Sequence, residues 1–413
     1  MYDWANSAFA TTVMAGFFPV FFKSYWASGM SATESTVRLG TTNAVASLLV
    51  VLLAPVLGVV ADRSGSKKRL LLLLAMLGAL MSGGLFLVAE GQWGLAAALY
   101  VFGVIGFAGG NVTYDALLID VAARDEFERI SALGYAMGYL GGGLLFAVNV
   151  LMVSNPDGFG FEDKAAAVRA AFLMVAVWWA LFSIPVALFV KESAPHADAA
   201  GPRGLRVAWQ EFRTTWRLLR TLRMAFVFLV AYWCYIDGVD TIVRMAVDYG
   251  LSLGFAAETL LTALLLTQVV GFPAALVFGR VGDRIGAKRA LWLALAVYVL
   301  VVFWAARMSQ SWEFYGLAVA IGLVQGGVQA MSRAMFARLI PAEHAGRLFG
   351  LYNMMGKFAA VIGPLLVGWV AVLSGSSRLG IFSVLILFVA GAWLLAYVDE
   401  ARGQREAAGI LDE

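Results

Sequence analysis

Apolar runs of eighteen or more residues recur from one end of the chain to the other, and no other feature limits its fold as strongly. A helix rises about 1.5 Å per residue, so such a run crosses a hydrocarbon core roughly 30 Å thick. Composition agrees. Of 413 residues 61% are hydrophobic and 14% charged, whereas a soluble domain is nearer half apolar and a quarter charged. The chain reads as an all-α, multi-pass membrane protein. Its first apolar run is too long for a cleavable signal peptide and has no basic lead or small-residue cleavage pattern.

Twelve spans are expected, near 2–26, 39–61, 70–89, 94–122, 129–153, 166–190, 223–249, 256–278, 290–307, 312–338, 347–373 and 377–398. They divide into an N-terminal six-helix bundle (1–190), a linker (191–222), a C-terminal six-helix bundle (223–399) and a tail (400–413). Twenty-one Lys and Arg fall on the side of loops 2–3, 4–5, 6–7, 8–9 and 10–11 and the tail, against six on the other side. The positive-inside rule then places both termini in the cytoplasm, with a bacterial inner membrane as the setting. In the linker, Leu205, Trp209, Phe212, Trp216 and Leu219 share one helical face and Arg206, Arg213, Arg217 and Arg220 the other. This pattern suits an amphipathic helix on the inner leaflet, or a solvated linker helix.

The halves repeat. "GVVADRSGSKKR" (58–69) follows span two and "GRVGDRIGAKRA" (279–290) follows span eight, 221 positions on for the Asp-Arg pair. A second match sets Arg129 against Arg347, at an offset of 218. Two six-helix bundles in parallel repeat are the plan of the major facilitator fold. Asp62, Arg63, Gly65, Lys67, Lys68 and Arg69 resemble the loop signature of that superfamily, with a partial copy at Asp283, Arg284, Gly286, Lys288 and Arg289. Within it, "YDWANSAF", "YWCYIDGVDTI" (232–242) and "QGGVQAMSRAMFARLIP" (325–341) resemble the fungal autophagy-related vacuolar effluxers and their bacterial relatives. "TYDALLID" departs from that family by placing Asp115 where an Asn is expected. The resemblance implies a transporter. For the fungal members it implies amino-acid efflux, and it makes Gly58, Asp62, Arg63, Arg69, Asp283 and Arg284 gating elements.

Charge inside the membrane is costly and marks candidate sites. Span one carries Asp3 and Asn6, span seven Asp237 and Asp240 with the same spacing, and span four Tyr114, Asp115 and Asp120. At the 218 offset Asp115 and Asp120 correspond to Arg333 and Arg338 of span ten, an acid–base exchange expected to attract across the cavity or to close a gate. Span ten also holds Gln329, and span eleven Asn353 and Lys357, whose repeat counterparts in span five are Tyr135 and Tyr139. Apart from Asp3, Asp120 and Arg338 these residues are the expected substrate site; Asp3, Asp115, Asp237 and Asp240 are the expected proton carriers, and Asp120 and Arg338 belong to the expected gate. Arg244, four from both Asp240 and Asp248, reads as a structural ladder. Gly134, Gly138 and Gly142 permit close helix approach, either as packing or as a sliding contact between halves.

Span one starts only two residues before Asp3, while span seven has fourteen before Asp237. Twelve residues are about 18 Å of helix. The natural chain is therefore expected to extend upstream, with Asp3 inside the bilayer; the rival is an interfacial Asp3 near a helix N-terminus.

Cys234 is the sole cysteine, and His196 and His344 lie far apart, so neither a cysteine metal cluster nor a cofactor is expected. A net charge of +3 argues against nucleic acid as a partner. No Walker-type glycine loop supports ATP-driven pumping. The leading expectation is a monomeric secondary transporter of a small zwitterion or anion, coupled to protons and surrounded by lipid. The alternatives are an exporter of amphipathic or lipid-like compounds and a membrane-embedded enzyme or scaffold.

Overall fold

The computed structural model describes residues 1–64, 67–190, 205–253, 255 and 257–409, and among them all regular structure is helical. The side chains of Arg63, Arg244, Asp248 and Lys357 lie outside the described set, as do residues 191–204 with His196. We number the helices α1 (Tyr2–Trp26), α2 (Ala32–Ser64), α3 (Lys67–Leu85), α4 (Trp93–Val121), α5 (Phe127–Ser154) and α6 (Lys164–Phe189). The linker helix is α7 (Leu205–Thr221). The second half holds α8 (Arg223–Ser252), α9 (Ala257–Ile285), α10 (Ala287–Arg307), α11 (Ser311–Arg338), α12 (Ala345–Ser374) and α13 (Ser377–Ala396), followed by the short α14 (Glu400–Gly409). Among the described residues eleven helices are long and apolar enough to cross a membrane. The twelfth is α12, within which the described apolar segment is Ile362–Ser374.

The contacts repeat between halves. α1 packs on α5 and α6 as α8 packs on α12 and α13; α2 and α3 pack on α4 as α9 and α10 pack on α11. Large apolar side chains such as Leu87, Val372 and Leu373 face outward, because lipid tails solvate them as well as a protein core would. Local signals set the helix ends. The Asp163 side chain accepts the Ala166 N–H to start α6, a Gln310–Glu313 capping box starts α11, and Gly375 at φ 65° ends α12. The loop-signature lysines act within their own halves. Lys68 Nζ donates to the carbonyls of Ala187 and Val190 at the end of α6, and Lys288 Nζ to those of Ala396 and Val398 after α13. A cation there balances the negative end of a helix dipole.

One expectation changes and one is narrowed. The visible apolar residues of α7, Phe212, Trp216 and Leu219, pack against the protein core, and α7 contacts α2, α8 and α12. Protein thus takes much of the surface expected to meet a leaflet. Of the α5 glycines, Gly138 and Gly142 pack on α1 of the same half, which is the packing alternative rather than the sliding one, while Gly134 also approaches Arg333 of the other half. A Cβ at Gly141 would come 2.7 Å from the Trp4 carbonyl oxygen, and one at Gly142 2.9 Å from that of Ser7.

The halves meet toward one end. α2 packs on α12 through Gly58 against Gly346 and Gly350 against Ala54, while α5 packs on α9 from Gly282 beside Glu128 to Gly143 beside Gln268. Asp62 and Arg338 lie at that same end, where the loop signatures follow α2 and α9.

Candidate functional site

Between the halves lies a cavity of about 450 Å³, lined by α1, α4, α5, α8, α9, α11 and α12. That size is typical of small-molecule sites, roughly 300–1,000 Å³. Asp3, Asn6, Tyr114, Asp115, Tyr135 and Tyr139 line it from the first half, and Asp240, Gln329, Arg333 and Asn353 from the second.

Arg333 organises the cavity floor. It belongs to α11, yet its polar contacts are with the first half. Nη1 is 3.1 Å from Asp115 Oδ1, Nε donates to Ser131 Oγ at 2.8 Å, and Nη2 donates to the Ser131 carbonyl at 2.9 Å. Nη2 also lies 3.8 Å from Asp3 Oδ2. The guanidinium sits over the rings of Tyr135 and Tyr114, at 4.6 and 5.3 Å, where the negative ring faces attract a cation. The Arg333 side chain is only 3% exposed. A buried cation is tolerated when it is paired and hydrogen-bonded, and here Asp115 pairs with it and each of its three nitrogens donates a bond. Asp115 is completed by Asn353 Nδ2, which donates to Oδ2 at 2.9 Å, and Asp3 by the Tyr114 hydroxyl, which donates at 2.8 Å. Gly134 makes the socket possible, since a Cβ there would overlap Asp3 Oδ2 and come 2.9 Å from Arg333 Nη2.

Asp3 is thus a cavity residue and not a helix cap; no side-chain cap bond forms at the start of α1. Asn6 donates to Asn111 Oδ1 at 2.6 Å, so this part of α1 is tied to α4. Beyond it α1 widens into π-helical turns at Phe9–Phe17, where Ala10, Thr11, Ala15 and Gly16 face the cavity. Such turns recur at functional sites.

Asp237 is not among the lining residues. It is 1% exposed and accepts the Gly363 N–H at 2.9 Å and the Thr241 hydroxyl at 3.4 Å. Its carboxylate faces the α8–α12 seam, while Asp240, three residues on, reaches the cavity. The matched spacing with Asp3 and Asn6 therefore does not make Asp3 and Asp237 equivalent. The Lys357 side chain lies outside the described residues.

The expected gate pairs are redistributed. Arg338 does not meet Asp120. It forms a two-pronged bond to Glu128 of α5, at 2.7 and 2.6 Å, because that carboxylate is buried opposite its fork. Asp120, at the end of α4, pairs instead with Lys67 of the same half at 2.7 Å. A repeat offset identifies positions related by the pseudo-symmetry axis, and such positions need not touch. Asp62 spans the halves by accepting the N–H groups of Gly346 and Arg347 at 2.7 and 2.8 Å, at the positive end of α12. Its repeat counterpart Asp283 is exposed, as are Arg284 and Arg69. Glu128, Ser131, Asn111, Gln268 and Gln325 went unrecognised in the sequence. Only Glu128, an acid entering an apolar run, carried a visible signal.

Next to the cavity lies an apolar recess inside the second half, among α8, α9, α10 and α11. Val243, Leu264, Thr267 and Gln325 border both spaces.

Known proteins resemble the chain over nearly its whole length. The family described as "Vacuole effluxer Atg22 like" matches residues 25–127 and 119–408. The MFS-type transporter YxiO of Bacillus subtilis (strain 168), described as uncharacterized, is 37% identical over 403 residues, covering 97% of this chain and 94% of that protein. Autophagy-related protein 22 of Yarrowia lipolytica is 26% identical over 312 residues, covering 68% of this chain but 51% of its own length. The chain thus spans about half the length of that fungal relative. Two solved structures share the fold. The human organic anion transporter MFSD10 superposes with a TM-score of 0.72 at 15% identity, covering 95% of this chain and 97% of its own. The MFS transporter FucP in its outward conformation gives 0.72 at 12% identity, covering 96% and 97%. The chain therefore belongs to the Atg22-like vacuole effluxer family and, with it, to the major facilitator superfamily of transporters.

Proposed function

We propose that the chain carries a small zwitterionic solute of the amino-acid type by alternating access, coupled to protons. The observation that carries this reading is the position of Arg333, which crosses from one half to sit between Asp115 and Asp3 of the other. A solute carboxylate can compete for the guanidinium, and its ammonium can take the place Arg333 vacates beside Asp115 or Asp3. Two carboxylates share one guanidinium, so a proton on either leaves the cluster neutral. A neutral cluster costs less to move through a low-dielectric centre than a charged one. Asp240, across the cavity, is a further acidic contact for the ammonium.

The cavity lies between halves closed through Asp62, Glu128 and Arg338, which supports rocking about that seam as the transport step. On this reading 1–190 and 223–399 move as bundles about the linker 191–222, with tail 400–413 beside the second. The loop-signature side is cytoplasmic in a bacterial plasma membrane, and the unit is a monomer. A second reading, an amphipathic solute, is favoured by the apolar recess that opens beside Gln325.

The test is thermal stabilisation of the purified protein by amino acids, organic anions and amphipathic cations at several pH values, followed by uptake into proteoliposomes. A solute at a hundred times its dissociation constant stabilises the native state by about 2.7 kcal/mol. Stabilisation by zwitterions that disappears in Arg333→Gln, with pH-driven flux that disappears in Asp115→Asn, is expected. Stabilisation by amphiphiles alone, unchanged in Arg333→Gln, refutes the zwitterion reading.

A further inference from the structure

A second cleft lies on the protein surface, away from the cavity. Arg220 in the last turn of α7, Arg223 at the first position of α8 and Arg402 of α14 surround a floor of Met224, Phe226 and Val227. All three arginines are exposed; Arg220 and Arg223 flank the junction of α7 and α8, and Arg402 joins them from α14 at the far end of the sequence. The nearby carboxylates are already engaged. Glu406 accepts from Arg402 Nε at 3.0 Å through one oxygen and from the Met224 N–H at 3.0 Å through the other. Asp399 accepts the Arg402 N–H at 3.0 Å. The Arg220 guanidinium lies 5.6 Å from the centre of the Trp216 ring, and that ring meets Phe226 edge-on at 5.9 Å.

The depth of the cleft follows from its neighbours. Trp393 and Tyr397, each 61% exposed, stand edge-to-face at the end of α13. Exposed Trp and Tyr at a span end mark the headgroup layer. Arg402 follows Tyr397 by five residues, and Arg223 opens the apolar span Arg223–Val243. The guanidinium groups thus lie at headgroup level, and Phe226 and Val227 lie one turn further in.

We propose that this cleft binds the headgroup phosphate of an anionic phospholipid, with the acyl chains against Phe226 and Val227. Guanidinium groups bind phosphate oxygens in pairs of charge-assisted bonds, and three arginines gathered around one apolar floor can converge on a single phosphate where scattered surface cations would not. The apolar floor distinguishes a lipid from free phosphate, which has no use for it. Occupancy would tie the end of the linker helix to the second bundle and to α14. This proposal does not depend on the solute carried.

The test is native mass spectrometry of the full chain from nanodiscs of equal phosphatidylglycerol and phosphatidylcholine. Juxtamembrane basic residues contribute about a fewfold each to anionic-lipid affinity, so about tenfold enrichment of retained phosphatidylglycerol is expected. Arg220→Gln with Arg402→Gln should bring it to near parity. Arg217→Gln with Arg405→Gln removes the same charge from the same two helices outside the cleft and should leave the enrichment in place. Equal loss in both pairs would reduce the arginines to a general anchor and overturn the site. Arg220→Gln alone, at an exposed position, gives the same reading if the first pair folds poorly. Inorganic phosphate provides the other arm. If it displaces the lipid or stabilises the detergent-solubilised protein as well as short-chain phosphatidylglycerol does, the cleft is a free-phosphate site and the lipid assignment fails.

Discussion

Replacing Arg338 by Gln should open the end of the molecule where the halves now meet. The Glu128 side chain is 3% exposed and depends on the two-pronged bond from Arg338, itself 21% exposed. Stripping one partner from a buried pair costs about 3–5 kcal/mol, and the partial solvation of Arg338 argues for the lower end. The bond joins α5 of one half to α11 of the other, so the cost falls on the closed arrangement; in the opened one Glu128 gains access to water. A bias of about 3 kcal/mol is roughly a hundredfold change in the ratio of the two states. The assay is a spin–spin distance between nitroxides at Asp125→Cys and Glu343→Cys, in a Cys234→Ser background. Both positions are exposed, in the equivalent turns before α5 and α12. A longer-distance population should become dominant in Arg338→Gln, recede in Arg338→Lys and recede further when Glu128→Gln is added. If the distances stay fixed while the melting temperature falls, the pair merely holds the fold and the reasoning fails.

The remaining expectations separate gate from fold in the same way. A Cβ at Gly58 would overlap the Gly346 carbonyl across the halves, so Gly58→Ala should lengthen the same spin–spin distance with little change in melting temperature. A Cβ at Gly141 would press on the Trp4 carbonyl within one half; Gly141→Ala should cost about 1–3 kcal/mol of stability by thermal unfolding and leave the distance unchanged. Asp240→Asn should weaken solute-induced stabilisation more than Asp237→Asn, since only Asp240 lines the cavity; the reverse order would remove Asp240 from the site. The Arg402 N–H holds the Asp399 carboxyl below its ordinary range. Its contribution is therefore present above that range and lost as pH falls through the depressed value. Acid should loosen α14, read as faster proteolysis near Glu400, and Asp399→Asn should show the same loosening at neutral pH.

Much of this protein is legible in one dimension. Span number, the repeat and the family follow from hydropathy and short motifs, because a bilayer forces each crossing into a helix of fixed length whatever its neighbours are. Charge within the spans also marked Asp3, Asp115 and Arg333 as candidates, since an ionised group in an apolar run is costly unless it is paired or functional. Partner choice was not legible. The 218 offset set Asp120 against Arg338, yet Lys67 takes the one and Glu128 the other. Asp237 and Asp240 are three apart on one helix, and only packing against Gly363 turns the first into the seam and leaves the second at the cavity. The glycines of α5 announced close approach without saying that α1 was the neighbour. Helix length and burial are properties of a segment in its solvent, and the sequence carries both. A contact between side chains depends on how two helices are rotated and offset against each other, and only the packing of all twelve decides that.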